Sequence, residues 1–360
     1  MENTFMKMAI DLARSTHGQT SPNPVVGAII VRNNQIVGMG AHLKAGEPHA
    51  ERHALQMAGE KAKNATMYVT LEPCSHFGKT PPCADAVIEA GIKKVYIAST
   101  DPNPKVAGNG IDRLRQAGID VEVDIMKEEA DRLNQVFFHY IQTGKPFVTL
   151  KSATSLDGKI ATSKGESQWI TCEESRYDSH QLRHINDAIL VGVNTILADN
   201  PSLTTRLNEG GKNPIRIVLD HKLRTPETAK VVTDQLAPTW IFTTNHTNAQ
   251  KIQKLEDAGV KVIVLNSKKI IISDLLTYLG ENQISSLLVE GGSTINDAFL
   301  QNGDFQQVIV YLAPLIIGGK DALTSFSGKG ILHLKDATML KINSVERTGN
   351  DVKLVLTKGE

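Results

Sequence analysis

Hydrophobic residues in the first half of the chain fall into short runs, separated by turn residues and by segments with helical spacing. The apolar run at 25–31 and the segment 36–40 flank Asn33-Asn34, a two-residue turn signal, so they predict a β-hairpin. Further strands are predicted at 67–71, 94–98 and 121–125, and helices at 2–17, 49–61, 83–90, 110–117 and 127–142. Because strands and helices alternate, we expect a mostly parallel sheet between helices.

The segment Thr143-Gly144-Lys145-Pro146 separates the two halves of the chain. Glycine ends the preceding helix and proline restarts the chain, which predicts domains at 1–144 and 145–360. The second half is also predicted to be α/β, with strands at 147–152, 188–193, 215–219, 240–243, 260–265 and 308–312, helices at 173–185, 249–258 and 272–280, a strand-turn-helix unit at 286–300 and a final hairpin at 342–347 and 352–356.

Charge and composition exclude several classes of function. Lys plus Arg and Asp plus Glu number 39 each, so the net charge gives no sign of a nucleic-acid or anionic-membrane partner. The apolar runs 25–31 and 308–317 are too short to span a bilayer, and the N-terminal residues lack the uninterrupted apolar region of a signal peptide. We therefore expect a cytoplasmic protein, whose three cysteines suit metal binding or catalysis better than disulfides.

The candidate chemistry of the first half lies in four residues. His49 and Glu51 stand at the start of a predicted helix, Cys74 follows a predicted strand, and Cys83 starts the next helix. One histidine and two cysteines supply the three ligands of a catalytic zinc ion, whose fourth position stays open for water. With a non-ligand glutamate to carry protons, this set suits hydrolytic removal of an amino group from an amidine-like carbon.

Other interpretations stay open at this point. His53 or His76 could complete a closed structural site, or the two cysteines could be buried thiols without a metal. His-x-Glu followed by Pro-Cys is the signature of zinc nucleobase deaminases, in which two residues separate the cysteines. Here eight residues separate Cys74 from Cys83, and we expect the insertion 75–82 to determine substrate choice.

Both halves contain long, distinctive phrases. They are Ser21-Pro-Asn-Pro-Val-Val-Gly27, Ala45-Gly-Glu-Pro-His-Ala-Glu51, Thr70-Leu-Glu-Pro-Cys-Ser-His-Phe-Gly-Lys-Thr-Pro-Pro-Cys83, Asp101-Pro-Asn-Pro104, Lys151-Ser-Ala-Thr-Ser-Leu-Asp-Gly-Lys159, Gly165-Glu-Ser-Gln-Trp-Ile-Thr171, Asp199-Asn-Pro-Ser-Leu-Thr204 and Val289-Glu-Gly-Gly292. Through these phrases nearly the whole chain resembles the bifunctional deaminase-reductase family of bacterial riboflavin biosynthesis. The resemblance implies a cytidine-deaminase-like α/β/α domain followed by a dihydrofolate-reductase-like α/β domain.

The resemblance also implies two consecutive reactions. The first is hydrolytic deamination of 2,5-diamino-6-(5-phosphoribosylamino)pyrimidin-4(3H)-one to 5-amino-6-(5-phosphoribosylamino)uracil, and the second is reduction of the ribosyl chain to ribityl. The implied cofactors are one Zn²⁺ per chain and NADPH. The expected partner is the small phosphoribosyl pyrimidine, with no nucleic acid and no membrane, and a homo-oligomer is expected.

Site residues follow from the same resemblance. It implies that His49, Cys74 and Cys83 hold zinc and that Glu51 moves protons. The residues implied to line the deaminase pocket are Asn23, His42, His76 and Lys79. Those implied to contact NADPH are Ala153, Trp169, Thr195, Asp199, Gly292, Ser293, Thr294, Ile295, Asn296, Asp297 and Ala298, and those implied to contact the reductase substrate are Lys151, Ser167, Arg183, Leu203, Arg206 and Glu290.

Without the resemblance, the chemistry of the second half is weakly marked. Glu290-Gly-Gly-Ser293 between a strand and a helix could bring backbone N–H groups to a pyrophosphate, but a plain turn is the more frequent explanation of such a glycine pair. For the substrate that the resemblance implies, we expect Arg183 and Arg206 to pair with the 5-phosphate. Our hypothesis for catalysis is that Lys151, with Asp199 or Glu290, moves protons while the sugar opens to its imine, the form that accepts a hydride.

Two alternative functions are retained. One is a zinc deaminase acting on RNA, with the second half as a binding module, and the other is a zinc-stabilised scaffold without chemistry. Zero net charge and the lack of a basic, aromatic-interleaved run weigh against the first alternative. Ammonia release and NADPH oxidation separate all three.

Overall fold

The computed structural model describes residues 2–75, 81–103, 107–245 and 248–359. The chain divides into two compact units, Met1–Gly144 and Lys145–Glu360. No helix of the described ranges is long and apolar enough to cross a membrane.

The first unit is an α/β structure whose elements follow the predicted order. Its strands are β1 (Gly27–Arg32), β2 (Gln35–Ala41), β3 (Thr66–Leu71), β4 (Lys94–Ser99) and β5 (Asp120–Glu122). Its helices are α1 (Glu2–Arg14), α2 (Ala50–Ala58), α3 (Cys83–Glu89), α4 (Asn109–Gln116), α5 (Lys127–Leu133) and α6 (Gln135–Thr143), with a 3-10 turn at Gly59–Ala62.

The sheet of the first unit is mixed, whereas the sequence predicts a mostly parallel one. Its order is β2-β1-β3-β4-β5. β1 pairs antiparallel with both β2 and β3, and only β3-β4 and β4-β5 are parallel. The reason is the predicted hairpin, which is confirmed: Asn33 and Asn34 both have the positive φ that a tight hairpin turn needs, so the chain reverses beside β3.

One predicted helix of the first unit is broken. Instead of a continuous helix over 127–142, α5 ends at Leu133 and α6 begins at Gln135. Asn134, at the break, is buried, and its side chain donates to the Val25 carbonyl and accepts from the Val25 N–H, both at 3.0 Å. These two hydrogen bonds fix the loop that precedes β1.

The second unit is also α/β and is built on a larger sheet. Its strands are β6 (Phe147–Ser155), β7 (Ala188–Gly192), β8 (Ile215–Leu219), β9 (Thr239–Thr244), β10 (Lys261–Leu265), β11 (Ser286–Val289), β12 (Gln307–Ala313), β13 (Leu340–Thr348) and β14 (Asp351–Lys358). Its helices are α7 (Glu173–Ile185), α8 (Val193–Asp199), α9 (Lys230–Thr233), α10 (Ala249–Asp257), α11 (Ile272–Glu281) and α12 (Ser293–Asn302), with a 3-10 turn at Leu334–Asp336.

This sheet has the order β10-β9-β8-β7-β11-β6-β12-β14-β13. The first seven strands in this order, from β10 at the edge to β12, pair in parallel with their neighbours. The final hairpin then adds β14 and β13, which pair antiparallel. The sequence does not predict α8 or α9, which are only seven and four residues long, because helices this short carry too few positions to show a period. Parallel strands place their carboxyl ends at one edge, which is where ligands bind in open α/β sheets.

Candidate active sites

Three predicted metal ligands of the first unit converge. His49 immediately precedes α2, Cys74 follows β3 and Cys83 is the first residue of α3. Their ligand atoms all lie within 4.8 Å of one another. The His49 Nδ1 atom is 3.6 Å from Cys74 Sγ and 3.3 Å from Cys83 Sγ, and the Cys83 N–H donates to Cys74 Sγ at 3.3 Å.

The element ends explain why residues so distant in sequence meet. His49 has an extended conformation at the N-cap of α2 and makes no side-chain cap, so its ring is free to turn toward the cysteines. Pro82 occupies the same N-cap position before Cys83. The positive ends of two helices therefore face the cluster, an arrangement that favours anionic sulfur ligands.

Hydrogen bonding shifts the pKa values of the two cysteines in opposite directions. Hydrogen bonds from Cys83 and from His49 lower the pKa of Cys74 to about 4. The pKa of Cys83 shifts in the other direction, because its hydrogen bond to Cys74 and its burial raise it. The hydrogen bond between His49 and Cys74 raises the pKa of the His49 imidazole. The Cys74 sulfur is therefore the more acidic of the two thiols, and its charge favours the protonated form of His49.

Glu51 is buried beside this cluster. Burial raises the pKa of its carboxyl to about 7, and the Cys83 thiol contributes one hydrogen bond to it. Its second oxygen, Oε2, is buried without a hydrogen-bond partner among the described residues. A His, Cys, Cys donor set next to an unpartnered buried carboxyl oxygen fits a zinc ion with an open fourth position.

One of the two alternative fourth ligands, His53, is described in the structure. His53 is not part of the three-residue cluster, although its Nε2 atom is buried without a described partner. His76, like the pocket residue Lys79, lies outside the described residues. Within the ranges that the structure describes, the cluster is a three-ligand site.

The structure places two predicted pocket residues together. Asn23 Nδ2 lies 3.2 Å from His42 Nε2, and His42 Nδ1 lies 3.3 Å from the Pro48 carbonyl oxygen. The His42 ring packs edge-on to the His49 ring, with centroids 5.1 Å apart. Burial lowers the pKa of His42. A neutral ring that donates from Nδ1 and accepts at Nε2 satisfies both contacts.

In the second unit, three predicted substrate residues form one buried ionic network. The Arg183 guanidinium from α7 makes a two-point ion pair with the Glu290 carboxylate, with N–O distances of 2.8 and 2.9 Å. Lys151 Nζ on β6 lies 3.7 Å from the same carboxylate. Arg183 also donates to the Thr204 carbonyl at 3.1 Å. Glu290 follows β11 directly, so adjacent parallel strands bring it to Lys151.

The charges of this network control its protonation. Burial acts to raise the pKa of Glu290, but Arg183 and Lys151 outweigh it and hold that pKa at about 2. Burial lowers the pKa of Lys151 against the attraction of Glu290. Lys151 Nζ also lies 5.5 Å from the centre of the Tyr311 ring, and the Tyr311 hydroxyl donates to Asp178. The network therefore holds a carboxylate and an amine whose charged form is less favoured than usual.

Arg206 differs from Arg183. Arg206 is exposed, and its guanidinium makes no hydrogen bond or ion pair with the described residues. Partial burial of the side chain and the nearby charge of Arg183 lower the pKa of Arg206. His180, one turn before Arg183, was not predicted from the sequence. Burial and the charges of Arg183 and Arg206 lower the pKa of His180 to about 4. Its Nδ1 atom is buried without a partner among the described residues. This corner is consequently electropositive.

The predicted NADPH residues lie on several elements at the carboxyl ends of the strands. Thr195 and Asp199 are on α8, and residues 293–298 form the first turns of α12. The two helix starts approach closely, since a Cβ atom on Gly192 or Gly291 would lie 2.9 or 2.5 Å from Ile295 side-chain atoms. A cleft of about 350 Å³ is lined by Gly165, Glu166, Ser167, Gln168, Ala198 and Asp199.

Other predicted residues of this site occupy different environments. Trp169 is 66% exposed and stacks on the Arg176 guanidinium at 4.8 Å. Leu203 has a positive φ and a side chain buried in the core, so only its backbone is available to a ligand. Asn296 is buried and donates to the Ser325 carbonyl. Burial raises the pKa of Asp199.

Glu72 and Asn134 are structural residues near the first site that were not predicted from the sequence. Glu72 accepts from backbone N–H groups at the start of α4, and Asn134 bonds the backbone of Val25, close in sequence to the pocket residue Asn23. The sequence does mark Glu72 by its position between a predicted strand and Pro73-Cys74. An acidic side chain that is buried at such a position must bond to other groups of the protein, because water does not reach it. Asn134 gave no signal, because an asparagine inside a helical pattern is common.

Two family descriptions match the chain. Residues 1–99 match the cytidine and deoxycytidylate deaminase zinc-binding region. Residues 146–354 match the RibD C-terminal domain. The two matches fall in the two compact units and confirm the predicted fold class, a cytidine-deaminase-like domain followed by a reductase-type α/β domain.

Similar proteins cover nearly the entire chain. The riboflavin biosynthesis protein RibD of Bacillus amyloliquefaciens is 51% identical over 98% of this chain and 95% of its own length. The RibD of Escherichia coli is 43% identical over 98% of both.

Solved structures agree with these sequence matches. Acinetobacter baumannii RibD has a TM-score of 0.90 and 39% identity, and covers 100% of this chain and 99% of that chain. A diaminohydroxyphosphoribosylaminopyrimidine deaminase/5-amino-6-(5-phosphoribosylamino)uracil reductase from Thermotoga maritima has a TM-score of 0.89 and 38% identity, with coverage of 100% and 99%. The chain therefore belongs to the RibD family of riboflavin biosynthesis, bifunctional enzymes that join a zinc-binding deaminase domain to a reductase domain.

Proposed function

We propose that the chain catalyses both reactions for which its Thermotoga maritima relative is named, deamination of the phosphoribosylaminopyrimidine and reduction of the resulting uracil derivative. The observation that carries the first half of the proposal is the His49, Cys74, Cys83 cluster beside the buried carboxyl of Glu51. The deaminase is assigned to residues 1–144 and the reductase to residues 145–360.

In the deaminase, His49, Cys74 and Cys83 would hold one zinc ion. Bound zinc supplies Lewis acidity that makes water nucleophilic near neutral pH. Glu51 takes a proton from the attacking water through its unpartnered Oε2 atom and delivers protons to the ring nitrogen and the departing amino group. The pyrimidine gains a carbonyl oxygen and loses ammonia.

Asn23 and His42 position the pyrimidine in this site. Because His42 Nε2 accepts from the Asn23 amide nitrogen, the amide oxygen of Asn23 is directed away from the histidine and is available to a ligand donor. The neutral His42 ring contacts both Asn23 and the Pro48 carbonyl, so it fixes Asn23 relative to the backbone next to His49. His76 and Lys79 remain proposed pocket residues on the strength of the sequence motif.

In the reductase, the residues assigned to NADPH would hold a cofactor whose chemistry is hydride donation, here to C1 of the opened sugar. Lys151 moves the proton that sugar opening requires, because burial lowers the pKa of its ammonium group. Of the two carboxylates considered as its partner, Glu290 is in ion-pair range of Lys151 in the structure. Asp199, on α8, is proposed to contact the cofactor.

The phosphate of the substrate is proposed to bind Arg206 first. Glu290 and Thr204 already occupy three N–H groups of Arg183, whereas Arg206 is unpaired among the described residues. A guanidinium with free donors pairs well with phosphate oxygens. Arg183 then contributes charge and fixes Glu290. Ser167 and the Leu203 backbone complete the proposed substrate contacts.

The cofactor is proposed to lie along the adjacent starts of α8 and α12. The close approach of Gly192, just before α8, to the Ile295 side chain of α12 brings the two helix starts near each other, and helix starts suit phosphate groups. Ala153, Trp169, Thr195, Asp199 and residues 292–298 are assigned to it. Asn296 acts through the Ser325 loop, since its side-chain amide is bonded there.

The enzyme is further proposed to act in the cytoplasm as a homo-oligomer. The final hairpin places β13 at the edge of its sheet, and exposed apolar side chains cluster in sequence around it: Leu332, Leu334, Met339, Ile342 and Val345. Unpaired strand edges and exposed apolar residues favour pairing with a second chain. Light scattering of the parent and of an Ile342→Lys variant tests this assignment; a parent that is monomeric at micromolar concentration contradicts it.

A two-step assay tests the proposed function. The purified enzyme should release ammonia from the diaminopyrimidine without NADPH, and should oxidise NADPH, followed at 340 nm, only with the deaminated pyrimidine. An RNA deaminase would leave NADPH unchanged, and a scaffold would give neither signal. Either of those outcomes would overturn the proposal.

A further inference from the structure

Glu72 is a buried carboxylate that the chemistry described above does not use. It follows β3 and is 4% exposed. Its Oε1 atom accepts from the N–H groups of Gly110 at 2.9 Å and Ile111 at 3.3 Å, and its Oε2 atom accepts from Gly108 at 3.0 Å and Asp101 at 3.3 Å. One side chain therefore satisfies four backbone donors, three of them at the start of α4.

The residue after Glu72 is packed against the same helix start. A Cβ atom on Gly110 would lie 2.1 Å from the Pro73 carbonyl oxygen and 3.1 Å from Glu72 Oε1. Only glycine fits at this position, so α4 touches the backbone of Pro73 directly. Both the side chain of Glu72 and the backbone of Pro73 are thus fixed to α4.

Cys74 is held from the other side by α3. Its carbonyl oxygen accepts from the Ala84 N–H at 3.2 Å, and its sulfur accepts from the Cys83 N–H at 3.3 Å. The backbone from Glu72 to Cys74 is consequently tied to the start of α4 at one end and to the start of α3 at the other. Little freedom is left to the position of the Cys74 sulfur.

We propose that Glu72 is a positioning residue for the metal ligand Cys74, acting through the start of α4. The inference rests on the proposed role of Cys74 as a zinc ligand. A residue that merely capped α4 would change the stability of the unit and leave zinc affinity alone. A residue that fixes the ligand changes the affinity, because the loosened backbone must be ordered again whenever zinc binds. Loss of groups that orient metal ligands typically costs about 10- to 100-fold in metal affinity.

Two variants test this proposal in the full-length enzyme. Glu72→Gln keeps the shape but presents an amide nitrogen to two backbone donors, and Glu72→Asp keeps the charge but shortens the reach. Zinc dissociation constants are measured by competition with a chromophoric chelator. We expect at least about tenfold weaker binding for each folded variant, with NADPH oxidation of the deaminated pyrimidine at the parental rate.

Leu114→Ala is the matched control. Leu114 lies on the same helix, is fully buried in the core and is not one of the four donors to the Glu72 carboxylate. Its truncation should destabilise the first unit while zinc affinity stays within about twofold of the parent value. Zinc binding by a folded Glu72 variant within twofold of the parent, or an equal loss of affinity in Leu114→Ala, would overturn the proposal.

A measurement on the parent enzyme covers the case in which neither Glu72 variant folds. Coupling between two sites is reciprocal, so zinc must stabilise the contacts of Glu72 if those contacts stabilise zinc. Zinc addition should slow hydrogen exchange at the amides of Gly108, Gly110 and Ile111. Unchanged exchange at these amides would refute the coupling. A parent that binds no zinc at all would refute the proposed function as well, which separates the two failures.

Discussion

The residues of the two proposed sites are distributed along the sequence in different ways. The deaminase site draws its ligands from three element ends, and each ligand stands in a short phrase with proline beside it. The proposed reductase site draws its residues from β6, α7, α8, the end of β11 and the start of α12, and none of its phrases has the residue types and spacing of a metal site. A metal imposes residue types and spacings, whereas a cofactor that carries its own chemistry asks mainly for alignment.

Charge is arranged differently as well. In the first unit, a buried carboxyl oxygen of Glu51 has no described partner, so the site has capacity left for an ion and a proton. In the second unit, the carboxylate of Glu290 is neutralised by Arg183 and Lys151. The first site is therefore expected to depend on an added ion, and the second to be preformed by the chain itself.

Metal removal should separate the two sites most strongly. Stripping zinc with a chelator, or replacing Cys83 with serine, should abolish ammonia release, because a ligand of the ion that activates water is lost. NADPH oxidation of the deaminated pyrimidine should stay at the parental rate. Cys172→Ser, which alters the cysteine of the second unit, is the control and should retain both activities. Loss of both activities on zinc removal would show that the sites are not independent.

Replacement of Lys151 should have the mirror effect. Lys151→Met should reduce reductase turnover by about 100- to 10,000-fold, the range expected for a group that transfers a proton, and leave ammonia release unchanged. Lys353→Met is a matched control, because Lys353 lies beside the same Tyr311 ring but pairs with Asp178 at 2.7 Å. Full turnover of Lys151→Met with unaltered affinity for substrate would refute the proposed role.

The buried ion pair of the second unit should contribute measurable stability. Glu290→Gln leaves Arg183 without its counter-charge and should cost about 3 kcal/mol of unfolding free energy at pH 7. The pKa of Glu290 is depressed from 4.5 to about 2, so this contribution is complete above pH 4.5 and is lost as the pH falls toward 2. Urea unfolding should therefore show a difference between parent and variant that shrinks below pH 4.5.

Asp234→Asn provides the comparison for that loss. Asp234 pairs with the buried Arg216 elsewhere in the second unit, at 2.7 Å. It should lower stability without lowering reductase activity, whereas Glu290→Gln should lower both. A pH-independent difference between the parent and Glu290→Gln would contradict the charge assignment.

The smallest expected effect concerns the phosphate. Arg206→Met should raise the KM of the reductase about tenfold with little change in kcat, because it removes a contact made equally in the ground and transition states. Arg224→Met, at another exposed arginine of the second unit, is the control and should leave KM unchanged. If Arg183→Met raised KM while Arg206→Met did not, the order of the two arginines would be reversed.

The sequence predicts much of the deaminase site because its residues lie at element ends that short-range signals mark. The hairpin turn at Asn33-Asn34 and the convergence of His49, Cys74 and Cys83 follow from turn chemistry and ligand chemistry. The break at Asn134 does not, because it depends on hydrogen bonds to Val25, more than a hundred residues away in sequence.

The reductase site was predicted mainly through the family resemblance. Its ion pair joins Arg183 to Glu290 across 107 positions, and no local pattern encodes that contact. The short helix α8, which carries Thr195 and Asp199, has too few residues to show a period. Long-range pairing and short helices are features that tertiary contacts decide.

One chain is proposed to hold two independent active sites, with Glu51 specific to the first. A Glu51→Gln variant tests this independence, with Glu60→Gln, at an exposed position, as control. We expect Glu51→Gln to bind one zinc per chain, to release ammonia at least about 100-fold more slowly and to oxidise NADPH with the deaminated pyrimidine at the parental rate. Parental ammonia release by a zinc-loaded Glu51→Gln enzyme would contradict it.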